Sequence, residues 1–219
     1  MDIGKAFTFV TEDENWIMKL VIGGIVMLIP IVNFAGFGYM AEVTRRVMNN
    51  DPQLLPEWGD FGKFFADGLK LFVGFLIYSL PVILVACVMG GIGAATGSLG
   101  DSANSDTLGG AMAIVLIGLE CIVFLLALIP AVLSPAIFAR FAEEGTIGSM
   151  LRFGDVIGFA TANLGSYIVV LLLAGVALYI IAPLGVIACG VGVIFTGWWG
   201  YLVFAHLTGQ LARQNAMMA

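Results

Sequence analysis

The chain has 219 residues, of which 60% are hydrophobic and 11% are charged, with a formal net charge of −6. Its mean hydropathy is +1.04. Soluble domains are about 45–50% apolar and about 25% charged, so this chain has too few polar side chains to cover a water-soluble globule. Composition excludes a soluble enzyme, a disordered chain and a nucleic-acid binder. It predicts one integral membrane domain over residues 1–219.

Five apolar segments are long enough to cross the bilayer as helices, because a crossing of about 30 Å of hydrocarbon needs roughly 20 residues. They cover approximately residues 17–39, 69–95, 111–139, 167–182 and 184–206. None of them alternates apolar and polar residues as a barrel strand does. The predicted fold class is therefore all-α, a polytopic transmembrane helix bundle, with a tight hairpin at Pro183 between the last two spans.

The first segment has two interpretations. Its apolar stretch is long enough for one tilted crossing, which we favour. Five crossings then place the C-terminus in the cytoplasm, because the connectors 40–68 and 140–166 are basic and the loop after the second span is not. That count leaves Lys5 and Lys19 outside. If the segment instead bends back at Pro30 as a re-entrant hairpin, all nine basic residues lie inside.

The two cytoplasmic linkers, residues 55–68 and 150–164, are predicted to be amphipathic interfacial helices. Gly59-Asp60 in the first aligns with Gly154-Asp155 in the second, which favours a repeat of two spans in parallel orientation, followed by a fifth span. Acidic residues of the first linker are expected to meet basic residues that follow the first span. This predicted interfacial clamp consists of Arg45, Arg46, Asp60 and Asp67.

Glu120 is the first candidate for chemistry, because it lies near the middle of the third span. An ionised carboxylate there costs several kcal/mol at least, so we expect Glu120 to be protonated or to face a polar group. It is either an intramembrane proton or cation site, with Asn33, Tyr78 or Tyr179 as a neighbour, or a neutral acid that donates one interhelical hydrogen bond.

Glycines occur throughout the apolar segments and predict close helix packing, since small residues let membrane helices approach closely. The predicted helix-packing positions are Gly90, Gly93, Gly97, Gly192 and Gly197. Trp198, Trp199 and His206 are candidate contacts for a ligand. A single histidine excludes a bis-histidine haem within one chain. No metal site and no cofactor are predicted.

Short motifs near the N-terminus carry a family resemblance. Trp16-Ile17-Met18-Lys19 precedes Gly23-Gly24, and Gly38-Tyr39 precedes Arg45-Arg46. Leu55-Pro56-Glu57-Trp58 and Asp67-Gly68-Leu69 follow. Together they resemble an uncharacterised bacterial and archaeal membrane family, known only as domain of unknown function 4013. The resemblance implies a multi-pass protein of the cytoplasmic membrane of a prokaryote, and it implies no activity.

The predicted function is that of a non-catalytic structural, assembly or accessory subunit, which packs against other membrane helices. No catalytic motif is present, so we expect no enzyme. The expected partners are the lipid bilayer and other membrane-protein subunits or a second copy of the chain, and no nucleic acid. The alternative is a small transporter or channel that uses Glu120.

Overall fold

The structure is a computed structural model, which describes the backbone of residues 1–99, 106–187, 190 and 192–217. Side chains are described for residues 1–94, 114–187, 190 and 192–217. All regular structure in these parts of the chain is helical, which confirms the predicted class. The chain divides into two compact units, one made of Met1–Gly74 and Leu133–Ala219 and the other of Phe75–Val132.

The N-terminal part is four short helical elements. They are α1 (Ile3–Thr8), a 3-10 turn (Phe9–Glu12), α2 (Trp16–Leu28) and α3 (Phe34–Met48). The segment 17–39, predicted as one span, is thus divided between α2 and α3. Proline disfavours a helical residue before it and lacks the N–H that continues a helix. Ile29, before Pro30, is extended with ψ 114°, and Ile31 has a φ of 73°.

Two long helices follow. A 3-10 turn (Trp58–Asp60) leads into α4 (Phe61–Leu99), and α5 covers Asp106–Glu144. Each helix has 39 residues, about 58 Å at 1.5 Å per residue. The predicted first linker and second span are therefore largely one helix, because no proline interrupts the chain between Pro56 and Pro81.

The C-terminal part is again made of shorter elements. They are α6 (Ile147–Leu151), α7 (Phe153–Ala162), α8 (Leu164–Gly175), a π-helical segment (Val176–Ile181), α9 (Ala182–Leu184), a 3-10 turn (Gly185–Ile187) and α10 (Gly192–Ala216). The second predicted linker lies mainly in α7. The last two predicted spans do form an antiparallel hairpin, because Thr196 donates to the carbonyl oxygen of Ala182 at 2.6 Å and Gly200 lies against Ala177. Only the predicted position of its turn is wrong, since the helical path continues through Pro183 to Ile187. Proline is tolerated there, since it stands in the first turn of α9.

Three helical segments of the described chain are long and apolar enough to cross a bilayer: Trp58–Ala94, Ile114–Glu144 and Leu164–Ile187. The sequence predicted five. The first predicted span is divided at Pro30, and the fifth corresponds to α10. Every residue from 202 to 212 of α10 is buried, so this helix is the centre of its unit.

α10 packs between the two N-terminal helices, α2 and α3. Gly24 of α2 faces Ile194, whereas Thr44 of α3 donates a hydrogen bond to the carbonyl oxygen of Ala205 at 3.1 Å. Farther along, Gly209 lies against Val47. α3 therefore runs parallel to α10, and α2 runs in the opposite direction, so that α2 and α3 form a helical hairpin.

The backbones of α3 and α4 touch at two glycines. A Cβ atom on Gly38 would lie 1.8 Å from the carbonyl oxygen of Phe64, and one on Gly68 would lie 1.6 Å from that of Phe34. No side chain fits in either place, so these positions require glycine.

Candidate functional site

Lys19 is buried at the start of α2, with 3% of its side chain exposed. Its ammonium group lies 2.7 Å from a carboxylate oxygen of Asp13 and 2.7 Å from one of Glu57, and it donates to the carbonyl oxygen of Leu55 at 3.1 Å. All three donors of the ammonium group therefore have acceptors. This site joins the start of α2 to the segment that follows α3.

Glu42 is the centre of a second charged cluster. Lys63 lies 2.9 Å from its carboxylate, Arg46 lies 3.5 Å away, and Arg45 is a closer partner. Burial alone would raise the pKa of the Glu42 carboxyl, but the hydrogen bonds and charges of Lys63 and Arg45 outweigh it and lower the pKa below its usual value. The Glu42 carboxylate is therefore held ionised between cations.

The predicted clamp is present in part. Arg45 lies 3.8 Å from Asp67 and donates from Nε to the carbonyl oxygen of Ala142 at 2.9 Å. Asp60 is exposed and has no ion pair in the described part of the chain, and Arg46 meets Glu42 instead. Lys70 lies 2.9 Å from Asp67 and donates to the carbonyl oxygen of Gly145 at 3.3 Å. Two cations thus bind carbonyl groups at the C-terminal end of α5, where the helix dipole is negative.

Arg140 follows Arg45 by 95 residues, the same separation as between Asp60 and Asp155 in the predicted repeat, and it has its own acidic partners. It lies 2.5 Å from Glu143 and 3.2 Å from Asp155 on α7. A shallow cavity of about 370 Å³ lies beside it, lined in part by Gly158 and Asn215. Both basic positions therefore pair with acids of the linkers, but they use different neighbours.

A histidine and a glutamine anchor the N-terminal helix to α10. Gln210 accepts a hydrogen bond from the backbone N–H of Asp2 at 2.6 Å and donates from Nε2 to the Asp2 carbonyl oxygen at 2.8 Å. This pair of bonds fixes the amide orientation, so Nδ1 of His206, 3.0 Å from Gln210 Nε2, is an acceptor. The His206 ring stacks on Phe9 at 4.4 Å between centroids. The candidate ligand contact at His206 is thus occupied by the protein itself.

Trp198 lies in a cluster of aromatic rings. Its ring centroid is 5.6 Å from that of Tyr39 and 6.1 Å from that of Trp58, and a Cβ on Gly23 would overlap its ring. Trp199 lies 5.7 Å from Phe7 between centroids. The tryptophans that the sequence suggested as ligand contacts therefore pack against side chains of their own unit.

A cavity of about 480 Å³ opens between the segment before α2 and the segment after α3. Carboxylates dominate its lining, with Lys5 as the basic residue. The charged lining residues are Lys5, Glu12, Asp13, Glu14, Asp51 and Glu57. No group of three or more His, Cys, Asp or Glu with metal-binding geometry occurs among the described residues.

The unit Phe75–Val132 differs in character, because its helices bury little. A Cβ atom on Gly90, Gly91, Gly93 or Gly118 would meet no heavy atom within 4 Å. Glu120 is exposed and makes no hydrogen bond or ion pair in the part of the chain that the structure describes. It shares its helix face with Ile117 and Phe124, which are 65% and 63% exposed. A carboxyl group thus stands on an open, apolar helix face.

The other predicted polar and packing residues have varied surroundings. Tyr78 is buried, and the side-chain oxygen of Asn33 is buried without a hydrogen bond from a described residue. Neither of them, nor Glu120, lines either of the two cavities above. A Cβ on Gly197 would meet nothing within 4 Å, whereas Gly192 lies against Gly185. The surroundings of Gly97 lie outside the described residues.

Several residues at the centres of the ion-pair and hydrogen-bond clusters described above were not predicted from the sequence as functional. The sequence-based prediction counts Lys19 only toward orientation and the family motif, and it includes neither Glu42 nor Gln210. A signal existed for Glu42, which stands three residues before Arg45 and four before Arg46 on one helix, the spacing at which opposite charges pair. No such local signal exists for Gln210, because its partner Asp2 lies at the other end of the sequence.

Comparison with known proteins adds a family. The family model described as "Protein of unknown function (DUF4013)" matches residues 22–191, which confirms the resemblance seen in the sequence. No curated protein and no solved structure matches the chain. The described regular structure is helical and includes three apolar helices long enough to cross a bilayer. Because the family model matches most of its length, the chain belongs to the DUF4013 family of proteins of unknown function.

Proposed function

We propose that the protein is a non-catalytic membrane subunit, which packs the helices of the unit Phe75–Val132 against those of another membrane protein in the cytoplasmic membrane of a prokaryote. The observation that carries the proposal is the open surface of the two helices of this unit. Glycines at positions 90, 91 and 118 have empty space where a side chain would be, and the Glu120 carboxyl has no partner among the described residues.

The physical reason is that acyl chains satisfy neither a carboxyl group nor a groove beside glycines as well as a protein helix does. Acyl chains provide no hydrogen bond to a carboxyl group, so an exposed Glu120 costs several kcal/mol unless another helix supplies a partner. Acyl chains also fill the grooves beside glycines poorly, whereas a second helix approaches them closely and gains van der Waals contact. Both features favour a protein neighbour over lipid beside these helices.

The same unit contrasts with the rest of the chain. Gly23, Gly38 and Gly68 all lie against atoms of their own unit, so their small size already serves internal packing. Gly90 and Gly91 have no such contact. A role in packing against another chain accounts for them, and a non-catalytic role agrees with the absence of a catalytic motif in the sequence.

The test is purification of the tagged protein from its native membrane in mild detergent, followed by mass spectrometry. We expect another membrane protein in stoichiometric amount, and we expect Gly91→Leu and Glu120→Leu to release it. Gly175→Leu is the matched control, because Gly175 is equally open but lies on α8. It is expected to retain the partner.

A second function is favoured by Glu120 itself, since an intramembrane carboxyl is also the usual proton or cation site of small transporters. If the protein purifies without a partner, a measurement of proton or ion flux in liposomes distinguishes a transporter or channel from an accessory subunit. Flux that Glu120→Gln abolishes would replace the accessory role with a transporter or channel.

A further inference from the structure

We propose that α2 and α3 form a re-entrant hairpin. It enters the bilayer from the face that carries the basic residues, turns within the hydrocarbon at Ile29–Asn33 and returns to the same face. The side chains at its tip contact the acyl chains of the membrane lipid. This proposal concerns a different unit from the one that carries the proposed function, so the two are independent.

The length of α2 is the first argument. It has 13 residues, about 20 Å, which is well short of the roughly 30 Å of hydrocarbon. α3 then runs back in the opposite direction. The segments at the two open ends of this hairpin line one cavity, where Glu14 before α2 and Gln53 after α3 both contribute. The ion pair of Lys19 with Glu57 joins the same two segments.

The backbone of the turn is satisfied in part within the chain. Buried backbone groups in lipid must be satisfied within the protein. The N–H groups of Ile29, Asn33 and Phe34 donate to carbonyl oxygens of residues three or four positions earlier, at 3.0 to 3.3 Å, and Pro30 has no N–H. The N–H groups of residues 35 and 36 are also bonded. The N–H groups at both ends of the turn are therefore paired, whereas those of Ile31 and Val32 have no backbone partner among the described residues.

The outer surface of the turn is apolar. Leu28, Ile29 and Ile31 are 58%, 45% and 67% exposed. Three large aliphatic side chains at the end of a hairpin are costly in water, and acyl chains bury them at a gain of about 25 cal/mol per Å². The opposite end of the hairpin carries the ion pairs of Lys19 and Glu42, so polarity changes from one end to the other.

The distribution of positive charge supports the same placement. Lys5 lines the cavity, Lys19 pairs with Glu57, and Arg213 binds Asn50 at 2.5 Å. The remaining six basic residues, Arg45, Arg46, Lys63, Lys70, Arg140 and Arg152, have the acidic or carbonyl partners of the segments 42–67 and 142–155. A single crossing would separate Lys5 and Lys19 from the others. The hairpin places all nine basic residues on one side, which the positive-inside rule makes the cytoplasmic side.

Sidedness is tested with single cysteines in a variant without Cys87, Cys121 and Cys189. Glu14→Cys and Gln53→Cys are placed at exposed residues. Ser102→Cys is the reference for the sequence segment between α4 and α5, which lacks basic residues and is expected outside by the positive-inside rule. Sealed membrane vesicles of known orientation are treated with a membrane-impermeant maleimide. We expect Glu14→Cys and Gln53→Cys to be labelled from one side and Ser102→Cys from the other. Labelling of Glu14→Cys and Gln53→Cys from opposite sides would overturn the proposal.

Depth is tested with a nitroxide attached to Leu28→Cys, because a hairpin on the membrane surface would give the same sidedness. In liposomes of phosphatidylethanolamine and phosphatidylglycerol we expect the label to collide with oxygen and to be shielded from a water-soluble nickel chelate. A label at Gln53→Cys is expected to show the reverse. Exposure of the Leu28→Cys label to the nickel chelate would overturn the proposal. Elution of each variant as a single peak in detergent verifies that it is folded.

Discussion

The ammonium group of Lys19 and the carboxylate of Glu57 lie 2.7 Å apart, although α2, α3 and the loop after α3 separate them in the chain. Lys19 is 3% exposed, whereas Glu57 is 63% exposed. The pair therefore connects a buried cation to an acid that still contacts solvent, and it closes the open end of the α2–α3 hairpin.

Replacement of Lys19 is expected to destabilise the protein strongly. Lys19→Met leaves the Asp13 carboxylate, which is 13% exposed, without its cation, and breaking a buried pair in this way costs about 3–5 kcal/mol. Thermal unfolding in detergent, followed by circular dichroism, measures the loss. Lys63→Met is the control, because Lys63 is 50% exposed and an exposed ion pair contributes about 1 kcal/mol or less. Equal losses for both variants would contradict the assignment of Lys19 as the buried anchor.

Replacing glycine by alanine is expected to lower the unfolding temperature at Gly38 but not at Gly158. Gly38→Ala drives a Cβ into the backbone of α4 at Phe64, so the two helices must separate and the unfolding temperature should fall sharply. Gly158→Ala on α7 has open space, and alanine favours a helix over glycine by about 1 kcal/mol. That variant should melt at the same or a higher temperature. Unfolding scans of the two variants side by side provide the comparison, and a tolerated Gly38→Ala would contradict the direct contact of α3 with α4.

Acid is expected to weaken the cluster around Glu42. The folded protein holds the pKa of Glu42 below its usual value, so the unfolded chain binds a proton more readily than the folded one. The stabilisation by Glu42 is therefore fully present above the unfolded pKa of about 4.5 and is lost as the pH falls through the folded pKa. Unfolding temperature measured from pH 7 down to pH 3 should decline less in Glu42→Gln than in the parent protein. Glu14→Gln, at an exposed acid, should follow the parent; if Glu42→Gln did so as well, the cluster would not be the source.

Gln210 is expected to control the order of the N-terminal helix. Gln210→Leu removes both bonds to Asp2, each worth about 1 kcal/mol, so α1 should open more often. Hydrogen–deuterium exchange of residues 2–9 should then be about tenfold faster or more. Asn215→Ala is the control, because Asn215 donates to the carbonyl oxygen of Phe159 and has no such bond to α1. Unchanged exchange in Gln210→Leu would mean that ring contacts, Phe9 with His206 and Phe7 with Trp199, hold the helix.

The membrane class and the helical fold could be read from composition and segment length, because both depend on how much apolar surface the chain carries. Element boundaries depended on contacts that the sequence does not display. The predicted linker 55–68 and the span 69–95 share one helix, since nothing local stops α4 at Gly68, where α3 approaches its backbone. The last two spans form the predicted hairpin, but its turn is not at Pro183, because a proline in a first helical turn breaks no hydrogen bond.

Some contacts of the site residues could likewise be predicted from the sequence, whereas others required the packed structure. The meeting of Arg45 with Asp67 could be predicted, because both stand at the polar ends of apolar segments. The partners of Trp198 and His206 could not, since Tyr39 and Phe9 reach them only after α10 has packed against α2 and α3. Glu120 was visible as a charge within an apolar run, and its exposure on the helix surface required the structure.

The central position of α10 has a consequence for biogenesis. This helix is synthesised after every element it contacts, so the groove between α2 and α3, with Gly23 and Gly36 along its walls, stays unfilled until Trp198 arrives. Until then, the earlier helices already inserted by the translocon expose this groove to lipid and to membrane chaperones. A chain truncated before α10 would therefore lack the side chains that fill this groove, and α2 and α3 should not pack stably without it.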